Sequence, residues 1–335
     1  MRSVEELEDR LSRPSSALVD DLAALDGDIL VLGAGGKLGP SLVKLALRAV
    51  DGRKSIVAVS RFSNPAHAEE LRKLGAQVIS ADITDDAALA ALPEIANVIF
   101  LVGSKFGSTG REAETWYTNS YLPGRVAERF HKSRIVALST GNVYAFTPVG
   151  SGGPVETVTP GPVGEYAMSC LGRERVFSHF AKKHDTPLAL IRLNYAVEMR
   201  YGVLVDIGRK VLGNEPVDVT MSAVNVIWQG YANEVTLRAL RHATPEPFVL
   251  NLAGPETLSV RQLAAAFGTQ FGVEPQIVGT EAPAALLSNS AKCMRLFGYP
   301  DIAPGELIEW TAAWLKAGLP LLNKPTGFQK RDGKF

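Results

Sequence analysis

The chain has 335 residues, 46% of them hydrophobic, which is enough for one large α/β domain or a core domain with a smaller lobe. Its 35 Lys and Arg balance 35 Asp and Glu, so the formal charge of zero gives no electrostatic reason to expect nucleic acid or an anionic membrane as partner. Cys170 and Cys293 stand far apart in no metal-ligand spacing, which argues against a disulfide scaffold or metal site and fits a reducing cytoplasm.

Met1 to Asp26 mixes charged residues with Leu and has no apolar core of a secretory signal. It reads as an amphipathic arm (1–27). Beyond it, strand and helix patterns alternate. Ile29–Leu32 is a buried strand, and Gly39–Val50 an amphipathic helix. Ser55–Val59 follows as a strand, Ala66–Leu74 as a helix, and Gln77–Ser80, Val98–Val102 and Ile135–Leu138 as further strands. A long helix spans Gly164–Lys183, with a strand at Pro187–Ile191 after it. Continuous β-branched runs separated by helices predict a doubly wound parallel sheet of Rossmann type, covered on both faces.

After a mixed region (Asn194–Ser222), a helix near Val226–Ala243 and a strand at Phe248–Leu252 return to this pattern. Shorter elements follow: helix Ser259–Phe271, a strand near Gln276–Val278, and helices around Ala284–Leu296 and Pro304–Ala317. The expected division is therefore a dinucleotide-binding domain at 28–195, rejoined by 223–252. A smaller C-terminal substrate lobe takes 196–222 and 253–320, and 321–335 is a polar surface tail.

The chemistry begins at Gly33-Ala34-Gly35-Gly36-Lys37-Leu38-Gly39, between the first strand and its helix. Such glycines let the chain turn tightly and let a pyrophosphate approach, while free amides at the helix start face its charge. Ser60-Arg61 ends the second strand, where an acid would bind the adenine ribose of NAD. The acid is missing, and an arginine fork matches a 2′-phosphate, which favours NADP over NAD; a solvated arginine is the plain alternative. Asp82, with Ile83 beside it, either meets the adenine edge or opens the next helix.

Further motifs follow the fifth strand: Ser139-Thr140-Gly141-Asn142-Val143-Tyr144, then Tyr166-Ala167-Met168-Ser169-Cys170 with Glu174 four residues on. With the spacing Gly33-x-x-Gly36-x-x-Gly39 and Asn119, these resemble the extended short-chain dehydrogenase/reductases of the NAD-dependent epimerase/dehydratase group. That group acts mostly on nucleotide sugars and related polyols. The resemblance spans about residues 28 to 320 and is closest before residue 195. It implies an NAD(P)-dependent oxidoreductase or epimerase and a homodimer paired through helices at Glu112–His131 and Glu165–Lys183. Tyr166 would transfer the proton, Thr140 would hold the reacting oxygen, and Asn119 would support the helix and an ordered water.

One departure stands out. The family's lysine, four residues after the tyrosine, is Cys170 here. That lysine holds the nicotinamide ribose and lowers the phenol pKa from about 10, which a thiol does not do. Two cations could stand in: Arg173, one turn further along the same face, or Lys105, after Gly103 in the loop bordering the cofactor. Cys170 itself reads as a small buried residue rather than a nucleophile. Its presence leaves open a cofactor-binding sensor or partner-binding protein that has lost hydride chemistry.

Substrate contacts are expected from Asn194, Tyr195, Met221 and Asn225. The few basic residues there form no clamp for a sugar-nucleotide diphosphate, which leaves a free sugar, sugar acid or small polyol open. The Gly/Pro-rich stretch from Gly152 to Pro162 either shapes the pocket mouth or simply connects.

Overall fold

A computed structural model describes residues 1–105, 107 and 109–334. Seven parallel strands form its centre: β1 (Ile29–Leu32), β2 (Ile56–Ser60), β3 (Gln77–Ser80), β4 (Asn97–Phe100), β5 (Arg134–Thr140), β6 (Leu188–Leu193) and β7 (Phe248–Leu252). Their order across the sheet is β7-β6-β5-β4-β1-β2-β3. Ile29 lies opposite Ile56 on one side and Asn97 on the other. Strand order reverses at β1, so the loops after β1 and β4 diverge and leave a crevice at the strands' carboxyl ends, as doubly wound sheets require.

The parallel crossovers are helical. Helices α1 (Val4–Leu11) and α2 (Ser16–Ala23) precede the sheet; α3 (Gly39–Val50) follows β1, α4 (Pro65–Lys73) follows β2, and α5 (Asp86–Ala90) follows β3. Helix α6 (Glu112–Trp116) runs through a π-helical turn, Tyr117–Tyr121, into α7 (Leu122–Arg129), and α8 (Glu165–His184) follows β5. Beyond β6 come α9 (Val203–Leu212), α10 (Gln229–Arg238), α11 (Val260–Phe271), α12 (Ala291–Phe297) and α13 (Pro304–Lys316). Both sheet faces are covered. One apolar layer joins Val31, Ile99 and Ile191 to α3 and α10, and the other joins Leu30, Phe100 and Leu190 to Val126 and Phe177.

Three segments differ from the sequence expectation. The N-terminal arm folds as two capped helices, with Ser3 and Ser15 accepting from the Glu6 and Leu18 amides. Their Leu7, Leu11, Leu18 and Leu22 bury against α3 and α10. The expected helix at Ala284–Leu296 forms only from Ala291. Its first half is extended because Ala284–Ala285 pairs with Thr147–Pro148 and the Ser288 amide donates to Asn225. The tail lies on the surface, with 322–325 exposed, but it is anchored at two buried points. Phe328 and Thr326 are buried, and Arg331 donates to the Ala284 carbonyl at 2.8 Å. Phe335, its last residue, lies outside the described residues. Among the described residues, no helix is long and apolar enough to cross a membrane and no cluster of His, Cys, Asp or Glu could hold a metal ion.

Candidate active site

The crevice is a groove of about 700 Å³ lined by Gly33, Gly35, Gly36, Ser60, Arg61, Asp82, Ile83 and Gly103. Gly33 has φ +91°, a conformation that favours glycine. A side chain at Gly39 would run into the Ala34 carbonyl, so this glycine lets α3 pack directly on the turn. Leu38 caps α3 without a side-chain hydrogen bond, so the first-turn amides keep their donors for a ligand. Backbone cradle, open helix start and groove volume fit a dinucleotide.

At the far end of the groove, the Arg61 side chain is 72% exposed, with a guanidinium nitrogen 3.9 Å from an Asp82 carboxylate oxygen. Asp82 accepts from both the amide and the hydroxyl of Thr84, at 3.0 and 2.7 Å, which holds its carboxyl below the usual range. The groove also draws on Phe62, Ser63, Asn64, His67 and Lys324, which sequence reasoning missed. Phe62 has φ +46°, a left-handed conformation with no local sequence signal. Lys324 is distant in the chain, so nothing local could assign it.

Lys37 leaves the turn and sets its ammonium 3.2 Å from the Tyr201 ring centre. The residue as a whole is exposed, but its charged end is enclosed. Burial there, with Lys105 and Lys324 nearby, brings its pKa down to about 7.

At the carboxyl end of β5, the Thr140 hydroxyl faces the Tyr166 phenol closely enough to pull its pKa down. Burial first, then the neighbouring Cys170, pushes the Tyr166 phenol far above its ordinary value, against the pull of Arg173 and Thr140. Cys170 is itself buried, and burial raises its thiol. The Lys105 ammonium lies 5.6 Å from the Tyr166 ring centre, and burial lowers its pKa to about 8.

Arg173 does not extend toward a ribose. Its guanidinium is spent beneath the loop, donating to the Leu138 carbonyl at 2.7 Å and to Asn119 Oδ1 at 2.8 Å. Asn119 is a positioning residue that touches no reacting atom. Its Oδ1 also accepts the Ser104 amide, and its Nδ2 donates to the Ser104 carbonyl and to Ser169 Oγ. Those bonds exhaust its capacity and leave nothing for a water. Arg173 and Asn119 together brace Gly103, where a Cβ would sit 2.9 Å from an Arg173 nitrogen.

Of the residues expected to meet substrate, Tyr195 lines a small chamber beside Thr140 and Tyr166, again with a left-handed φ of +48°. Asn225 is committed elsewhere, donating to the Glu256 carbonyl at 3.0 Å and accepting the Ser288 amide at 2.9 Å. Met221 is buried, with its sulfur 3.7 Å from Arg331. Asn194 is buried and its Nδ2 has no hydrogen-bond partner among the described residues.

Below the site runs a buried network. Ser139 donates to Glu174, Arg192 grips the same carboxylate at 2.7 and 3.0 Å, and Arg192 reaches the Tyr144 hydroxyl at 2.6 Å. Tyr144 donates on to Asn251, whose amide nitrogen holds the Pro154 carbonyl. This ties the Gly/Pro-rich stretch to β5, β6 and β7.

No curated protein matches the chain. Solved structures do. Pal from Bacillus thuringiensis is 20% identical, aligned over 87% of this chain and 99% of its own, with a TM-score of 0.72. UDP-glucuronic acid 4-epimerase from Bacillus cereus, solved with UDP-glucuronic acid and NAD, is 19% identical over 86% of this chain and 99% of its own, at a TM-score of 0.73. UDP-glucose 4-epimerase from Thermotoga maritima is 18% identical over 87% and 99%, at 0.70. At these identities the likeness is one of fold. The family model reaches further, because it matches residues 29–197, the stretch holding the glycine turn, Asn119, Thr140 and Tyr166. The chain belongs to the NAD dependent epimerase/dehydratase family.

Proposed function

We propose that the protein is an NAD(P)-dependent oxidoreductase or epimerase acting on a small sugar-like or polyhydroxy substrate. The Thr140 hydroxyl facing the Tyr166 phenol, with the Lys105 ammonium 5.6 Å from its ring, carries this reading. When bound, the cofactor's nicotinamide supplies or takes up the hydride. Because burial holds the Tyr166 phenol protonated at neutral pH, its resting role is proton donor. In the reductive direction, Tyr166 gives its proton to the carbonyl oxygen as hydride reaches the carbon. Thr140 donates to the same oxygen as negative charge develops. Lys105, rather than Arg173, takes the place of the family's lysine as the nearby cation.

NADP is the favoured cofactor, since Arg61, Ser63, Asn64 and His67 give the groove's adenine end a rim of donors suited to a 2′-phosphate. The neighbours solved with NAD leave this preference to be measured. The substrate lobe would comprise 196–222 and 253–320. A second copy would pair through α6–α7 and α8, where Trp116, Tyr117, Tyr121 and Met168 are exposed.

The test is product analysis with sugars and sugar acids in the presence of NADP(H) or NAD(H), comparing the wild type with Tyr166→Phe. Turnover is expected in the wild type and should fall by about 10²–10⁴-fold in the variant, with dinucleotide affinity retained. The second reading, a sensor without hydride chemistry, rests on Cys170 beside Tyr166. It prevails if the wild type binds NADPH tightly yet neither reduces nor epimerises any of them.

A further inference from the structure

The C-terminal segment crosses the site as a strap. Thr326 donates its amide and hydroxyl to Asp206 at 2.8 and 2.6 Å, and Lys105 donates to the Thr326 carbonyl at 3.3 Å. Phe328 is buried, Arg331 lies over the Phe146 ring at 4.3 Å, and Gly333 packs on Gly164, just ahead of the helix carrying Tyr166. Beneath the strap is the chamber lined by Lys105, Asn142, Tyr195, Phe328 and Lys330. Its free space is only about 30 Å³. That holds a few waters at about 10–15 Å³ each, so a sugar enters only if the strap lifts.

The chamber's chemistry is one-sided. Two lysines line it, and no acidic side chain does among the described residues. Their mutual repulsion adds to the burial that lowers the Lys105 pKa. Behind the lining residues Asn142 and Tyr195, Asn194 Nδ2 and Ser288 Oγ are both buried and have no hydrogen-bond partner among the described residues. Both side chains converge on Gly141, where a Cβ would sit 2.9 Å from each. Buried polar groups of this kind ask for a partner. A single negative charge would relieve the lysines, and hydroxyl groups would suit the Asn142 amide on the lining.

We propose that the strap, residues 325–333, is the roof of the substrate site, and that Lys105 beneath it and Lys330 on it hold the carboxylate of a small sugar acid whose hydroxyls meet Asn142. This rests on the hydride-transfer reading of Thr140 and Tyr166. It also narrows that reading, because a chamber roofed by the chain's own C-terminus suits a free acid better than a nucleotide sugar.

The experiment is calorimetric titration of the full chain, with and without NADPH, using D-galacturonate, D-galactose, galactose 1-phosphate and UDP-galacturonate. Galacturonate is expected to bind most tightly of the four. Lys330→Gln should weaken it about tenfold or more, as loss of a charge-assisted hydrogen bond requires, without changing NADPH affinity. Bound galacturonate should also slow trypsin cleavage after Lys330 and Arg331. Equal binding of galactose, tighter binding of either phosphate compound, an unaffected Lys330→Gln variant or unchanged trypsin cleavage each overturns the proposal. Failure to bind any nicotinamide dinucleotide instead overturns the hydride-transfer reading, because acid binding is read separately on the unloaded protein.

Discussion

In the proposed mechanism a buried thiol, Cys170, stands where the family's lysine is expected, and the Tyr166 phenol is pushed up rather than down, by burial first and then by this neighbour. In that mechanism the compensating charge comes from Lys105, whose pKa burial lowers to about 8. The groups facing it are Cys170 and Asp206, which favour the charged form, and Lys330 and Lys37, which oppose it. Below about pH 8 Lys105 is protonated, and above it the charge is lost. We therefore expect kcat/KM to fall as pH rises through about 8 and Lys105→Met to abolish that limb, read from steady-state pH profiles. Arg61 governs a different choice. If its exposed guanidinium meets a 2′-phosphate, Arg61→Ala should weaken NADPH by about 1.5–3 kcal/mol and leave NADH almost unchanged, measured by fluorescence titration. Sequence spacing marked Thr140 and Tyr166 because both belong to local motifs. It could not separate Arg173 from Lys105, since that depends on which cation the Asn119 carbonyl oxygens and Leu138 capture.

At the scale of elements, the glycine turn and α3 were legible because each obeys a local rule: a buried run, glycines at fixed spacing, then a 3.6-residue period. The network joining β5, α8, β6 and β7 was not. Glu174 was visible only as part of a motif, and nothing local in the sequence paired it with Arg192. In the fold the two form a buried pair with side chains 2% and 5% exposed. Removing one member leaves the other's charge without compensation. Glu174→Ala should therefore cost about 3–5 kcal/mol in urea unfolding, with Glu174→Gln losing less because it keeps a hydrogen-bonding oxygen. The half-helix at 284–290 failed as an expectation for a related reason. Its residues can form a helix, but Thr147–Pro148 and Asn225 claim their backbone groups first.

Across the whole molecule, the two chain ends are structural parts of the domain. The N-terminal helices close the face that α3 and α10 would otherwise leave open. Glu8 on α1 binds Lys44 and Arg200 at 2.6 Å each, and Arg200 binds the buried Glu198. This joins the arm to the region beyond β6. Leu22 is 1% exposed in that layer, so Leu22→Ala should lower stability by about 2–5 kcal/mol, read as a shift of the urea midpoint at unchanged slope. A free-standing arm would give no such loss. The C-terminal end acts at the site itself, where it contributes Lys324 to the groove and Lys330 to the chamber.

By itself the sequence determined the alternation of strands and helices, the dinucleotide turn and the Thr140–Tyr166 motif, because each depends on residues near one another in the chain. Tertiary structure decided the rest: the strap over the chamber, the bracing role of Arg173 and Asn119, the cation beside Tyr166 and the burial of the arm. A lone Phe328 or Lys105 has no period to reveal it. Its role is set by which surface the rest of the chain brings opposite it, and only folding supplies that surface.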